Sequence, residues 1–96
     1  MTRTLDRIMA WYSDQCNDDW EHSYGVKIDT LDNPGWSIEI DLEETNYANK
    51  DFSIIDIQRN DRDWVYCDIR DRKFKGAGGI GNLEELLLSF LNWVDE

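Results

Sequence analysis

Only two cysteines, one histidine and ten basic side chains are found in the 96 residues, and each scarcity removes a class of function. Two thiols are too few for a secreted disulfide framework, so reduced cysteines are expected. One histidine and two distant cysteines fall short of the donors a zinc site needs, and no Asp-x-Asp-x-Asp-Gly calcium loop is present, so no metal and no cofactor is expected. Ten Lys and Arg against 21 Asp and Glu leave a net charge of −11. That field repels phosphate backbones and anionic lipid, and it favours encounter with basic proteins. Solubility alone accounts for such a charge in many small domains. No run approaches the roughly 18 apolar residues of a membrane span. The opening MTRTLDRIMAWY lacks the apolar core of a signal peptide, which leads to an expected cytoplasmic location.

A hydrophobic content of 41% suits one domain, residues 1–96, with a single core. From Thr4 to about Cys16, apolar residues at Leu5, Ile8, Met9, Tyr12 and Cys16 form one stripe of a helix, which Trp11 widens. Thr4 is the expected N-cap and Asn17 the left-handed residue that ends the helix.

A β-hairpin follows. Val26, Ile28 and Thr30 alternate with Lys27 and Asp29, and Trp36, Ile38, Ile40 and Leu42 alternate with Ser37, Glu39 and Asp41. A four-residue turn would place Asp29 on the face of Ile38 and bury a charge. Pairing Ile28 with Ile38 keeps the apolar faces together and sets the loop at Leu31 to Gly35, with Asn33-Pro34-Gly35 in a type II turn. Glu43 to Asp51 reads as a polar connection. A second hairpin, Phe52 to Gln58 and Trp64 to Ile69, flanks the loop Arg59 to Asp63. The adjacent Ile54 and Ile55 imply either two apolar faces or a bulge, and Trp64 and Tyr66 fall on the face opposite Val65 and Cys67. Lys73-Phe74-Lys75 suggests a short edge strand guarded by its lysines. The final helix has Leu83, Leu86, Leu87, Phe90, Leu91 and Val94 at intervals of three and four, with Asn82 and Glu85 as a capping pair. These elements define an α+β fold: two hairpins in a four- or five-stranded antiparallel sheet, with an N-terminal and a C-terminal helix packed on one face.

Two constellations carry possible chemistry. Gly76 to Gly81 matches GxGxxG before a helix, but the preceding strand is charged, and an acidic ribose ligand some 20 residues on would fall beyond Glu96. Cys16 with His22 could serve a small thiol enzyme of sulfurtransferase or hydrolase type. Against it, Cys16 sits at a helix C-terminus among Asp14, Asp18 and Asp19, which disfavours the thiolate. For binding, the acidic loop of Asp18, Asp19 and Glu21 surrounds Trp20, which either anchors a partner or plugs the core. Asp29, Glu39, Asp41, Trp64 and Tyr66 complete a candidate acidic and aromatic surface for a basic partner.

The run WYSDQCNDDWEHSYGVKIDTLDNPGWSIEIDL, followed by KFKGAGG and NLEELLLSFLNWV, closely resembles the immunity protein 53 family of bacterial polymorphic toxin systems. The resemblance implies a small cytosolic inhibitor, not a catalyst, that binds and neutralises a cognate toxin, for which a nuclease with a basic cleft would be a suitable target. It carries over no toxin-contacting residues and sets no oligomeric state.

Overall fold

In the computed structural model, which describes residues 3–96, the chain runs α1 (Thr4–Gln15), α2 (Trp20–Ser23), β1 (Val26–Leu31), β2 (Gly35–Asp41), β3 (Ile55–Asn60), β4 (Asp63–Arg70), β5 (Lys73–Gly78) and α3 (Leu83–Val94). All five strands are antiparallel, in the order β1-β2-β5-β4-β3. The α+β architecture is the expected one. The place of β5 is not. Lys73-Phe74-Lys75 opens the central strand instead of a lysine-guarded edge, and Phe74 is wholly buried. Its charged look arises because only alternate residues face the helices, and two of those are glycines. A Cβ on Gly76 would lie 3.1 Å from Ile38 Cγ1 and 3.2 Å from Leu86 Cδ2. Helix α3 thus rests almost directly on the backbone of β5, where glycine leaves room for it.

The first hairpin has the predicted register, Ile28 opposite Ile38. Leu31 and Gly35 still pair, so the loop is Asp32-Asn33-Pro34, shorter than expected. Gly35 has φ 158°, far from the roughly +80° of the type II position. It is glycine for another reason: a Cβ there would run into the Gly78 carbonyl oxygen of the neighbouring strand. In the second hairpin, the strands extend to Asn60 and from Asp63, leaving Asp61-Arg62 as the turn. Ile54 lies before β3 and is exposed, so it needs no second apolar face, and the register irregularity falls at Gln58/Asn60. The β4–β5 turn is two residues, Asp71 and Arg72, both at positive φ (55° and 57°), as a tight hairpin on right-twisted strands requires.

The core lies between the sheet and the helices. Ile38, Ile40, Val65, Cys67 and Phe74 rise from β2, β4 and β5 to meet Leu86, Leu87, Phe90, Leu91 and Trp93 of α3. Each such burial contributes roughly 1.5–3 kcal/mol. Phe74, Phe90, Trp93 and Phe52 pack edge-on and tilted, with centroids 5.1–6.2 Å apart. Helix α1 turns a different side inward from the one expected. Ile8 and Trp11 are buried, whereas Leu5, Met9 and Tyr12 are exposed. The cause is its partner: α1 packs chiefly along α3, and Trp11 meets Phe90 at 4.9 Å. Thr4 is not the N-cap. Arg3 holds that position, and the Thr4 hydroxyl donates to Glu84 (2.7 Å) while Arg7 pairs with Asp95 (2.8 Å), tying the two helices together.

The connection from Glu43 to Asp51 is a series of turns fastened at its end. Lys50 Nζ donates to the carbonyls of Trp93 (2.6 Å) and Glu96 (2.9 Å), supplying a cation where the dipole of α3 is negative. Trp93 Nε1 donates to Asp51 O (2.7 Å).

Candidate partner-binding surface

The helices cover one face of the sheet and leave the other open, and strand alternation fixes what it shows. Asp29, Glu39 and Asp41 lie there with Trp64 and Tyr66, so five of the sequence-selected residues share one surface. Tyr66 is exposed and Trp64 half-buried. The face is not uniformly acidic. Asp56 and Asp68 join the other three carboxylates, but Lys27, Arg70, Lys73 and Lys75 are interleaved with them. Lys73 stands 3.4 Å from Glu39, and Arg70 3.2 Å from Asp68.

The unbalanced charge lies instead at one end, around α2. The chain leaves α1 at Cys16, in extended conformation, and the left-handed residue is Asp18 (φ 71°), not Asn17. Asn17 has another role: its Oδ1 accepts from the amides of Asp19 (3.1 Å) and Trp20 (2.9 Å), starting the short α2. Glu21 closes the same turn from the other side, accepting from the amides of Asn17 and Asp18 at 2.9 Å each. Hydrogen bonds from its own amide and from those two hold its carboxyl below the usual range. Glu21 is thereby committed to the loop, whereas Asp18 and Asp19 remain exposed.

Trp20 takes the second of its two expected roles. Its indole is 2% exposed, its Nε1 donates to Glu43 O (2.9 Å), and its ring meets Trp11 edge-on at 6.0 Å. A side chain so enclosed plugs the core and cannot reach a partner. Tyr24 packs against it, with its hydroxyl 3.4 Å from Glu44. Partial burial, with Glu44, Glu43 and Asp41 beside it, raises the phenol above its ordinary pKa. Gly25 N donates to Asp41 Oδ2 (2.9 Å), which joins this end to the open face. The result is a lobe of Asp18, Asp19, Glu21, Asp41, Glu43 and Glu44, in which Arg72 pairs with Glu43 (2.7 Å).

Cys16 and His22 border the lobe. The Cys16 thiol donates to Tyr12 O (3.3 Å) at the end of α1, and His22 is exposed on α2. Cys67, wholly buried, has its thiol pushed up to about 11 by burial.

Two features escape a reading by spacing alone. One is a network at the opposite end: Arg59 forks onto Glu85 (2.8 and 3.0 Å) and Asp63 (2.9 Å), and Asn82 Nδ2 donates to both carboxylates (2.9 and 3.0 Å). Glu85 thus bonds the Asn82 side chain, in place of the expected reciprocal capping of backbone amides. The other is the apolar ground left bare by α1. Leu5, Met9 and Tyr12 are exposed along α1, with Met9 and Tyr12 beside Ile28 of β1. The sequence signal was present: apolar residues cover two adjacent sides of α1, more than one line of contact can bury.

An open sheet face, an acidic end and an exposed apolar strip are the surface features of this small α+β domain. The chain belongs to the immunity protein 53 family, whose model matches residues 5–95. No curated protein and no solved structure matches it. Membership supports a toxin-neutralising immunity role and points to an inhibitor. Among the described residues, no helix is long and apolar enough to cross a membrane.

Proposed function

We propose that this protein neutralises a cognate toxin in the bacterial cytoplasm by forming a complex through its acidic surface, without catalysis, cofactor or nucleic acid. The observation that carries the reading is the lobe of carboxylates around α2, continuous through Asp41 with the open face of Asp29, Glu39, Trp64 and Tyr66. A basic toxin surface, such as a nuclease presents to its substrate, is the complement. Asp18 and Asp19 steer the approach, because exposed unpaired charge raises association rates more than it lengthens residence. Tyr66 and Trp64 supply rigid contact area on the adjoining face.

The test uses the toxin domain encoded beside this gene. Co-expression should restore growth, and the association rate should fall steeply from 50 to 500 mM salt. Reversing Asp18, Asp19, Glu39 and Asp41 to lysine should slow association by roughly ten-fold or more. Salt-independent binding that survives the reversal would overturn the acidic-surface reading, and failure to protect would overturn the immunity role.

A further inference from the structure

Among the described residues seven large hydrophobic side chains are exposed, and four of them, Leu5, Met9, Tyr12 and Ile28, follow one flank. Their exposures are 61%, 59%, 39% and 44%. The first three recur at i, i+4 and i+7 on α1, which places them in one line. Ile28 joins them because α1 packs on α3 and leaves the helix-side face of the edge strand β1 uncovered. Two hollows follow this line. One, of about 690 Å³, is bordered by Leu5, Met9, Leu83 and Leu87 together with Arg3, Asp6 and Glu84, and the next, of about 320 Å³, by Met9, Tyr12, Val26 and Ile28. Met9 belongs to both, so they form a continuous groove. Scattered exposed apolar residues need no explanation, but a contiguous apolar groove marks a contact surface.

Charge selects the occupant. At one end of the groove Tyr12 packs on Trp20 at 6.0 Å, and Trp20 belongs to the turn that displays Asp18 and Asp19. The groove therefore runs into the acidic lobe. A second copy would bring another charge of −11 to the same place, whereas a basic protein would gain attraction and apolar burial together. We propose that this groove, centred on Met9, is the anchoring site for the toxin, receiving an aliphatic or aromatic side chain that the toxin presents beside lysines or arginines. This rests on the toxin-binding reading and deepens it: the lobe sets the rate of encounter and the groove sets the lifetime. Flexible Met9, with its polarizable sulfur, suits a pocket that adapts to its ligand.

Met9→Glu and Leu5→Asp test the assignment, with Met9→Leu as the conservative control. Both positions are exposed, so circular dichroism and thermal midpoint of all three variants should match the parent. With the adjacent-gene toxin domain as probe, Met9→Glu should raise Kd roughly 30-fold or more, as expected for the centre of an interface. The loss should appear in dissociation, the salt slope of association should be kept, and Met9→Leu should bind like the parent. If the parent binds and both charged variants bind equally well, the groove assignment is overturned while the immunity reading stands. If the parent does not bind the toxin, both fall. Light scattering of the free chain supplies the remaining outcome: a dimer that Met9→Glu converts to monomer assigns the groove to a second copy and overturns the proposal.

Discussion

Adding one methyl group to β5 tests the contact on which the fold depends. In Gly76→Ala the new Cβ would sit 3.1 Å from Ile38 Cγ1, 3.2 Å from Leu86 Cδ2 and 3.4 Å from Cys67 Sγ, all side-chain atoms that can give by tenths of an ångström. In Gly78→Ala it would sit 2.9 Å from the Trp64 carbonyl oxygen and 3.1 Å from Asn82 Cβ. The first of these is backbone held in the sheet, which cannot retreat without loosening β4. Overpacking costs about 1–3 kcal/mol, and replacing glycine returns about 0.4–1 kcal/mol by restricting the unfolded chain. Gly76→Ala should therefore lose about 1 kcal/mol or less, and Gly78→Ala about 2 kcal/mol. Leu86→Ala separates the two further. Alone it should cost about 2–5 kcal/mol, and in that background the Gly76→Ala methyl moves into vacated space, becoming neutral or stabilising. Gly78→Ala should keep its cost there, because the obstructing atom is not Leu86. Urea unfolding followed by tryptophan fluorescence measures all of this. At a slope of about 1.5 kcal/mol per molar, Gly78→Ala should lower the midpoint by about 1.3 M. Gly76→Ala costs that add with Leu86→Ala would refute the close approach of α3 to β5, and a neutral or stabilising Gly78→Ala would refute the tight fit of β5 against the Trp64 carbonyl of β4.

Other outcomes follow from the same geometry. Trp20→Ala should lose about 3–5 kcal/mol in chemical denaturation, whereas an indole that served only as a surface anchor would leave stability unchanged. The Arg59 and Asn82 bonds hold the Glu85 carboxyl below its ordinary pKa, and Asn82 with Arg59 does the same for Asp63. A carboxyl depressed in the folded state stabilises above the ordinary carboxylate pKa and loses that contribution as pH falls through the depressed value. Glu85→Gln should accordingly lower the thermal midpoint at pH 7 and flatten its decline between about pH 5 and pH 3. Because burial raises the Cys67 thiol, a disulfide reagent at pH 8 should label only half-exposed Cys16 in the native protein. Two rapidly reacting thiols would mean that the sheet opens.

How much of this was legible depends on whether a residue's burial shows in its side chain. The β1–β2 register was readable because a slip would bury Asp29, and α3 because its apolar residues keep one period over three turns. The central place of β5 was hidden since a buried glycine has no hydrophobic side chain to register, and the Asp71-Arg72 turn lacks the Asn-Gly signature of tight hairpins. In α1, Leu5, Met9 and Tyr12 imitate a core stripe as well as Ile8 and Trp11 do, and only the position of α3 decides between them. Trp20 was ambiguous for a similar reason: acids flank it in the chain, but the Glu43 carbonyl that receives its indole N–H lies 23 residues away. Charge behaved likewise. The total is plain from composition, yet the pairing of Glu39 with Lys73 depends on β2 and β5 being neighbours.

The order of strands also sets the order in which the protein can be made. As the ribosome releases the chain, β1–β2 and β3–β4 each emerge as a two-stranded ribbon with a bare inner edge, and neither pairs with the other in the finished sheet. Among the described residues β5 is the strand that pairs with both ribbons, and the helix that shelters it comes later still. Until the final quarter of the chain is out, the newborn protein carries two unzipped halves. A fragment that stops before Lys73 should be prone to aggregate and should give no protection.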